Sequence, residues 1–175
     1  MPALNNQPDN LNFLSPLGFR FFLKRSPHLN FFLTEASVPG LSINIANVNT
    51  PFQTLYTPGS GVINYSDLDI TFKVDEDMRN YQEMYDWIVA NAAPKTMSQH
   101  SVVRSVSAVS GAGVHSDGTL TILNSAYRPS VEYQFERLFP TSLSELKFSI
   151  SENDINYITA TVSFKFEIMS INRLI

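Results

Sequence analysis

A stretch near the C-terminal end of the chain constrains the fold more than any other part of the sequence. Across residues 157–169 apolar and polar side chains alternate strictly. The apolar set is Ile158, Ala160, Val162, Phe164, Phe166 and Ile168. A period of two, rich in β-branched and aromatic residues, is typical of a strand with one buried face. Because full burial of each larger side chain contributes about 1.5–3 kcal/mol, we expect this strand to build much of the core.

The same alternation recurs in four other segments, which we expect to be strands. These segments are residues 41–45, 68–74, 131–135 and 146–150. Residues 19–23 and 29–33 are apolar at odd and even positions alike, which indicates strands covered on both faces. The chain is therefore predicted to be mainly β.

One segment follows a helical pattern. In residues 76–91 apolar side chains recur at the i, i+3, i+4, i+7 spacing of an amphipathic helix: Tyr81, Met84, Tyr85 and Ile88. An acidic triplet at 75–77 precedes them and suits a helix N-terminus, where carboxylates are favoured, and Pro94 ends the pattern. We expect this stripe, together with Trp87, to face the core.

Two stretches lack a continuous pattern. Residues 47–66 carry prolines and glycines between strand patterns, and residues 98–124 are rich in Ser, Val, Ala and Gly. Within the second stretch, Asp117-Gly118 predicts a hairpin turn. Strand patterns resume on both sides of each stretch, so we expect one domain over residues 1–175, with residues 1–12 as a flexible N-terminal arm.

Composition excludes several classes of function. The formal net charge is −4, and the longest basic run is the pair Lys24-Arg25. Non-specific nucleic-acid binding requires clustered basic residues, so stable binding of this kind is not expected. The absence of cysteine excludes disulfides and thiolate metal sites, and it fits assembly in a reducing cytoplasm. No apolar run reaches the ~20 residues of a membrane-spanning helix.

Local motifs of catalysis are missing from the sequence. His28, His100 and His115 are scattered, and no zinc-binding helix, calcium loop, nucleophile elbow or phosphate loop is present. We therefore expect a structural protein with no catalytic residues, no cofactor and no metal.

Residues 138–146 resemble a stretch of the tail tube proteins of T-even-type phages. That family has an aromatic–Pro–Thr turn, then a short helical or looped step with Glu-Leu, then a strand. The positions that carry the resemblance are Leu138, Phe139, Pro140, Thr141 and Glu145. Val38-Pro39-Gly40, residues 67–77 and residues 81–87 are similar to other family segments in the same order, and the inner tube proteins of contractile injection systems fit the same residues.

The resemblance implies a fold and an assembly. It implies two packed antiparallel sheets that form a small β-barrel, with one flanking α-helix. Such subunits form hexameric rings that stack into a hollow tube inside a contractile sheath. The implied partners are further copies, the tail sheath protein, and baseplate and tail-terminator proteins. DNA passes through transiently without specific binding, and the implied location is the virion, after assembly in the host cytoplasm.

Several residues are expected to serve that assembly. The candidates for a ring-stacking loop are Pro51, Phe52, Leu55, Tyr56 and Pro58. The candidates for exposed charges on a sheath-facing helix are Asp77, Glu83 and Asp86. Polar strand faces are expected to line the channel, where six copies at −4 each would carry −24 and repel DNA at close range.

Other functions remain open at this point. A tube-initiator or terminator ring of the tail or baseplate would share these patterns, as would the inner tube of a bacterial contractile injection system. A carbohydrate-binding β-sandwich module is a further alternative and would need exposed aromatic side chains in a groove.

Overall fold

The computed structural model describes residues 11–92, 114–149 and 157–174. These residues form nine strands and two helices. In chain order they are β1 (Phe19–Leu23), α1 (Pro27–Phe31), β2 (Leu33–Ala36), β3 (Leu41–Asn49), β4 (Thr54–Tyr65), β5 (Leu68–Lys73), α2 (Arg79–Ala92), β6 (Ser116–Leu123), β7 (Pro129–Leu143), β8 (Thr159–Lys165) and β9 (Ile168–Arg173). The prediction of a mainly β chain is confirmed, although two helices are present where one was expected.

All strand pairs are antiparallel, and one long strand joins two sheets. The hydrogen-bonded order is β1-β6-β7-β8-β5-β2, and β9 also pairs with β7. The 15-residue β7 pairs with β6 and β9 along its first part and with β8 along its last part. The predicted architecture of two antiparallel sheets is confirmed, and β1 and β2 form the two ends of the strand order.

The bend in β7 lies at Arg137, whose backbone has a positive φ of 55°. Its amide N–H donates to Asp117 Oδ1 at 3.4 Å, and its guanidinium Nε lies 3.3 Å from Glu167 Oε1. The amide of Glu167 donates to the carbonyl of Glu136 at 3.1 Å. These contacts hold a corner at which both β7 and the C-terminal chain change sheet.

The single strand predicted for residues 157–169 is therefore two strands. The predicted alternation is correct from Ala160 to Phe166, where the alternate side chains are buried. Beyond the corner, Ile168 is half exposed, because β9 has moved to the other sheet. A period of two identifies the buried face of a strand but does not reveal where the strand changes partners.

Phe166 belongs to one core that both sheets share. Its ring packs edge-to-face on Phe135 at 5.0 Å between centroids and at 5.1 Å from Tyr65. Nearby, Trp87 of α2 packs at 6.1 Å from Phe164. Aromatic packing of this kind adds to the free energy of burial, so this cluster ties β4, β7, β8 and α2 together.

Helix α2 begins three residues later than predicted. The acidic triplet lies in the turn before it, and the side chain of Asn80 organises that turn. Asn80 Oδ1 accepts from the amide of Asp75 at 3.2 Å, and Asn80 Nδ2 donates to the carbonyl of Lys73 at 2.8 Å. The buried helix face contains Met84 and, as expected, Trp87, whereas Tyr85 is 54% exposed.

Four other sequence predictions were wrong in part or in full. Residues 29–33 form most of α1 and the first residue of β2, because Pro27 occupies the first helical turn, where its fixed φ favours a helix. Residues 144–149 form no strand, and Ile150 lies outside the described residues. Asp117-Gly118 lies inside β6, not in a turn. In β1 the alternate position Phe22 is 59% exposed, so that strand is covered on one face only.

The turn that joins β6 to β7 is instead built by Asn124. Its side-chain Oδ1 accepts from the amides of Ala126 at 2.9 Å and Arg128 at 3.0 Å. Tyr127 completes the turn with a positive φ of 57°. The predicted N-terminal arm and the 98–124 segment lie outside the described residues at 1–10 and 98–113.

Replacing Phe166 with Ala should lower the free energy of unfolding by about 3–5 kcal/mol, because it removes a buried ring that contacts two others. The matched control is Phe148→Ala, since Phe148 is 74% exposed. Urea unfolding of the unassembled protein measures both variants. Equal losses in the two variants would contradict the placement of Phe166 in the core.

Candidate assembly surfaces

The β3–β4 hairpin continues the β2–β5 pair beyond the core. The β2–β5 ladder ends at Ala36 opposite Ile70, and the amide of Ser66 donates to the carbonyl of Gly40 at 3.0 Å just before the β3–β4 ladder begins. The nine residues of β3 at about 3.3 Å per residue give an arm of about 30 Å. The predicted stacking hairpin is thus regular along most of its length.

A bulge accounts for the proline and glycines of β4. The β3–β4 register shifts between Ile43 and Ile45, opposite Pro58. A Cβ at Gly59 would lie 2.7 Å from the carbonyl oxygen of Asn44, so only glycine allows this approach. Gly61 has a positive φ of 67°, which glycine adopts without strain. These residues permit a twisted strand in the stretch that the sequence predicted to be either irregular or a hairpin.

The hairpin is apolar, uncharged and exposed. No Asp, Glu, Lys or Arg occurs between Glu35 and Asp67. Phe52 at the tip is 99% exposed, and every residue of β3 is exposed. The predicted candidates Pro51, Phe52, Leu55, Tyr56 and Pro58 are all exposed along this arm. Many large apolar side chains exposed on one segment indicate an interaction site. The missing charges are a sequence signal that could have delimited the hairpin.

A second surface is the polar face of β5 and β8, where side chains pair across the strands. Thr71 Oγ1 and Thr161 Oγ1 lie 3.0 Å apart, and Ser163 Oγ donates to Asp69 Oδ1 at 2.6 Å. At one end of this face, Lys165 forms an ion pair with Asp67. At the other end, the Lys73 ammonium lies 5.0 Å from the centroid of the Tyr157 ring. This face is polar, and the charges of its two carboxylates and two ammonium groups cancel.

Two of the three predicted acidic residues are exposed: Asp77 in the turn before α2, and Asp86 on the helix itself. Glu83 is not the free surface charge that was expected: its side chain is 31% exposed, and its two oxygens bind Ser26 Oγ and His28 Nδ1 of the α1 segment. No local pattern predicts this contact, because 55 residues separate Glu83 from His28.

Arg25 strengthens the same junction between α1 and α2. Its guanidinium lies 4.7 Å from the centroid of the Trp87 ring, a cation–π contact. Burial lowers the pKa of Arg25 from its ordinary value, because desolvation disfavours the charged form. Glu83 and Arg25 therefore act as structural residues that fix α1 on α2.

The segment that carries the family resemblance lies in β7 and the loop after it. Leu138 and Pro140 are buried, and Phe139 packs edge-to-face on His115 at 5.4 Å. The aromatic–Pro–Thr step is not a turn: Pro140 pairs with Phe164, and a register shift follows it. A proline fits a strand at such an irregularity.

The polar ends of that segment make different contacts. Thr141 Oγ1 donates to the carbonyl of Ser163 at 3.1 Å. Glu145 forms an exposed ion pair with Lys147 at 3.2 Å in the loop. Both residues therefore have roles in the local structure of the β7 end.

The described residues offer little for chemistry. Ser26 and His28 both bind Glu83, so this trio lacks the serine-to-histidine hydrogen bond of a nucleophilic site. Within residues 11–92, 114–149 and 157–174 no three His, Asp or Glu side chains cluster as metal ligands. In that same part of the chain, neither helix has the length and apolarity needed to cross a membrane.

The sequence matches the family model described as phage tail tube protein over residues 6–172. It matches no curated protein. A chain of the cryo-EM structure of the anti-feeding prophage cap, a tube-terminating cap, superposes with a TM-score of 0.65 at 14% identity, covering 99% of both chains.

Two chains from an extracellular contractile injection system, PVC, are also similar. One, from its sheath–tube complex in the extended state, has a TM-score of 0.60 at 15% identity and covers 94% of each chain. The other, from its sheath/tube terminator, has a TM-score of 0.64 at 14% identity, with 93% of this chain and 99% of that chain covered. At these identities the likeness shows the fold.

Replacing Glu83 with Gln should lower the free energy of unfolding by about 1–2 kcal/mol, because a charged acceptor for Ser26 and His28 is lost from a partly exposed site. Asp86→Asn on the same helix is the matched control and should change stability by less than about 0.5 kcal/mol. Thermal unfolding measures both. Equal effects would refute the structural role of Glu83.

Proposed function

Because this chain belongs to the phage tail tube protein family, we propose that it forms hexameric rings that stack into a hollow tube. The observation that carries this proposal is the β3–β4 hairpin, an uncharged arm of about 30 Å whose large apolar side chains, apart from Tyr65 at its base, are exposed. Burial between copies would remove this surface from water. Pro51, Phe52, Leu55, Tyr56 and Pro58 then serve as ring-stacking residues.

The polar face of β5 and β8 is proposed to line the channel. Its hydroxyl and charged groups already form hydrogen bonds and ion pairs with one another, as in the hydrogen bond from Ser163 to Asp69. Few unpaired positive charges are therefore left to bind the phosphates of DNA. Such a lining lets DNA pass at ejection without specific binding. A basic lumen in the assembled tube would contradict this assignment.

The exposed side of α2 is proposed to face a contractile sheath, through Asp77 and Asp86. Glu83 supports this surface indirectly, by holding α1 against α2. The remaining partners proposed are baseplate and tail-terminator proteins at the two ends of the tube. The particle would be a phage virion, assembled in the host cytoplasm.

Purified protein should form six-fold rings and hollow filaments, seen by electron microscopy, because the exposed hairpin favours burial between copies. The matched variant replaces residues 42–64 with a two-residue Asn-Gly turn. This variant keeps the pair Leu41–Tyr65 and the contact of Tyr65 with Phe166.

The variant should fold and form no filaments. Filaments of normal length without the hairpin would refute its role in stacking. A wild-type protein that remains monomeric and binds glycans would refute the tube. Rings that cap tube ends and never stack would instead indicate a terminator.

Double charge reversal at Asp77→Lys and Asp86→Lys should leave tubes intact and reduce co-sedimentation of the sheath protein at least about tenfold, since like charges across an interface cost several kcal/mol. The control is Glu145→Lys, which reverses an exposed charge in the loop after β7. Sheath that binds the double variant normally would show that α2 faces elsewhere.

A further inference from the structure

A groove separates β1 and β2, the two strands at the ends of the strand order. Its larger part has a volume of about 510 Å³ and lies where β2 begins. Its principal lining residues are Leu17, Phe19, Phe22, Asn30, Leu33 and Thr34. A second part of about 300 Å³ continues along the same seam past Ala36 and Leu120. We call this feature the seam groove.

The walls of the seam groove combine aromatic and aliphatic side chains with the polar groups of Arg20, Asn30 and Thr34, and they are open to solvent. Leu17 is 82% exposed and Phe22 is 59% exposed, although both line a concave site. The volume falls within the range of about 300–1,000 Å³ that is typical of pockets that bury a ligand. Arg20 and Glu35 are also exposed here and can stay solvated at the rim when the groove is filled.

The tip of the hairpin has the complementary properties. Phe52 is 99% exposed, and the tip residues 49–54 carry no charge. The amide of Thr50 donates to the carbonyl of Gln53 at 3.0 Å, and Thr50 Oγ1 donates to the same carbonyl at 2.6 Å. The turn is therefore internally bonded, so docking would add little cost from ordering the loop.

The tip and the larger part of the seam groove lie towards opposite ends of β2. The larger part of the groove is lined by Leu33 and Thr34, where β2 begins, and the hairpin continues from Ala36, where β2 ends. A projection at one end and a receptor at the other give a contact between different surfaces of two copies. Such a contact repeats without closing and produces a filament.

The geometry points to a specific docking step: the Phe52 tip of one copy enters the seam groove of a second copy in the next ring. This inference rests on the proposed function, because it names the receptor for the stacking hairpin. Phe52 is buried against Phe22 and Leu33 of the receiving copy, which removes its exposed ring from water. Six such contacts per ring junction make stacking cooperative.

Two single substitutions at exposed positions test this pairing. Phe52→Glu leaves the groove intact and inactivates the tip, whereas Phe22→Glu leaves the tip intact and charges the groove. Each variant alone should stop at single rings, because every junction needs both parts. Mixed, the two should form ring pairs of twice the mass and nothing longer, since the tips of the Phe22→Glu rings can enter the grooves of the Phe52→Glu rings.

Mass photometry and electron microscopy measure these particles, and thermal unfolding checks that both variants fold. Phe148→Glu, at a side chain that is 74% exposed, is the control and should stack as the wild type does. If the wild type forms tubes and Phe22→Glu stacks normally, the groove assignment is overturned while the proposed tube function stands. A mixture that stays at single rings, or a control that stops stacking equally, would also overturn it.

A cysteine pair supplies a second measurement, because the natural chain has no cysteine. Phe52→Cys mixed with Thr34→Cys should give a disulfide-linked dimer under oxidation, detected by non-reducing electrophoresis and peptide mass spectrometry. Phe52→Cys mixed with Asp86→Cys should not. Tubes that form without the first disulfide would overturn the docking step, whereas a wild type that forms no tubes would overturn the proposed function.

Discussion

The structure depends on one strand that belongs to both sheets. Because β7 bends at Arg137, its first part pairs with β6 and β9 and its last part with β8. The chain after β8 must bend at the same level, and Glu167 meets both Glu136 and Arg137 there. Phe166 is thereby directed into the core between the sheets, where it packs on Phe135. One corner thus determines the strand order and the position of the largest aromatic cluster.

The sequence predicted the strands whose buried face belongs to this core. In β5 the buried residues Leu68, Ile70 and Phe72 alternate, and β8 shows the same pattern, so a period of two was sufficient. The predictions failed where structure depends on other chemistry. Residues 29–33 are apolar, but Pro27 starts a helix there. Asp117-Gly118 is a frequent hairpin turn, but here Asp117 binds the bent backbone of Arg137.

The candidate surfaces were predictable to different degrees. The hairpin was found from exposed apolar residues such as Phe52 and Tyr56 between prolines and glycines, because a solvated loop does not need them. Its strand pattern at Leu41 and Ile43 was read correctly as β, but both side chains are exposed, since no part of the core covers them. The hydrogen bond from Ser26 to Glu83 could not be predicted, because 57 residues separate the partners and the helical pattern around Glu83 does not indicate which segment packs against it.

An uncharged hairpin with two open edges should also pair side by side with other hairpins, which would produce aggregates in place of ordered rings. The bulge of β4 opposes such pairing. Pro58 has no N–H to donate to a neighbouring strand. The left-handed backbone of Gly61 and the register shift at Ile45 also make the strand too irregular for a flat ladder. The tip beyond the bulge ends in Phe52, which is fully exposed. The hairpin thus resists lateral pairing along β4 and keeps an apolar tip. Both features favour end-to-end contacts, which is the geometry that a stacked tube requires.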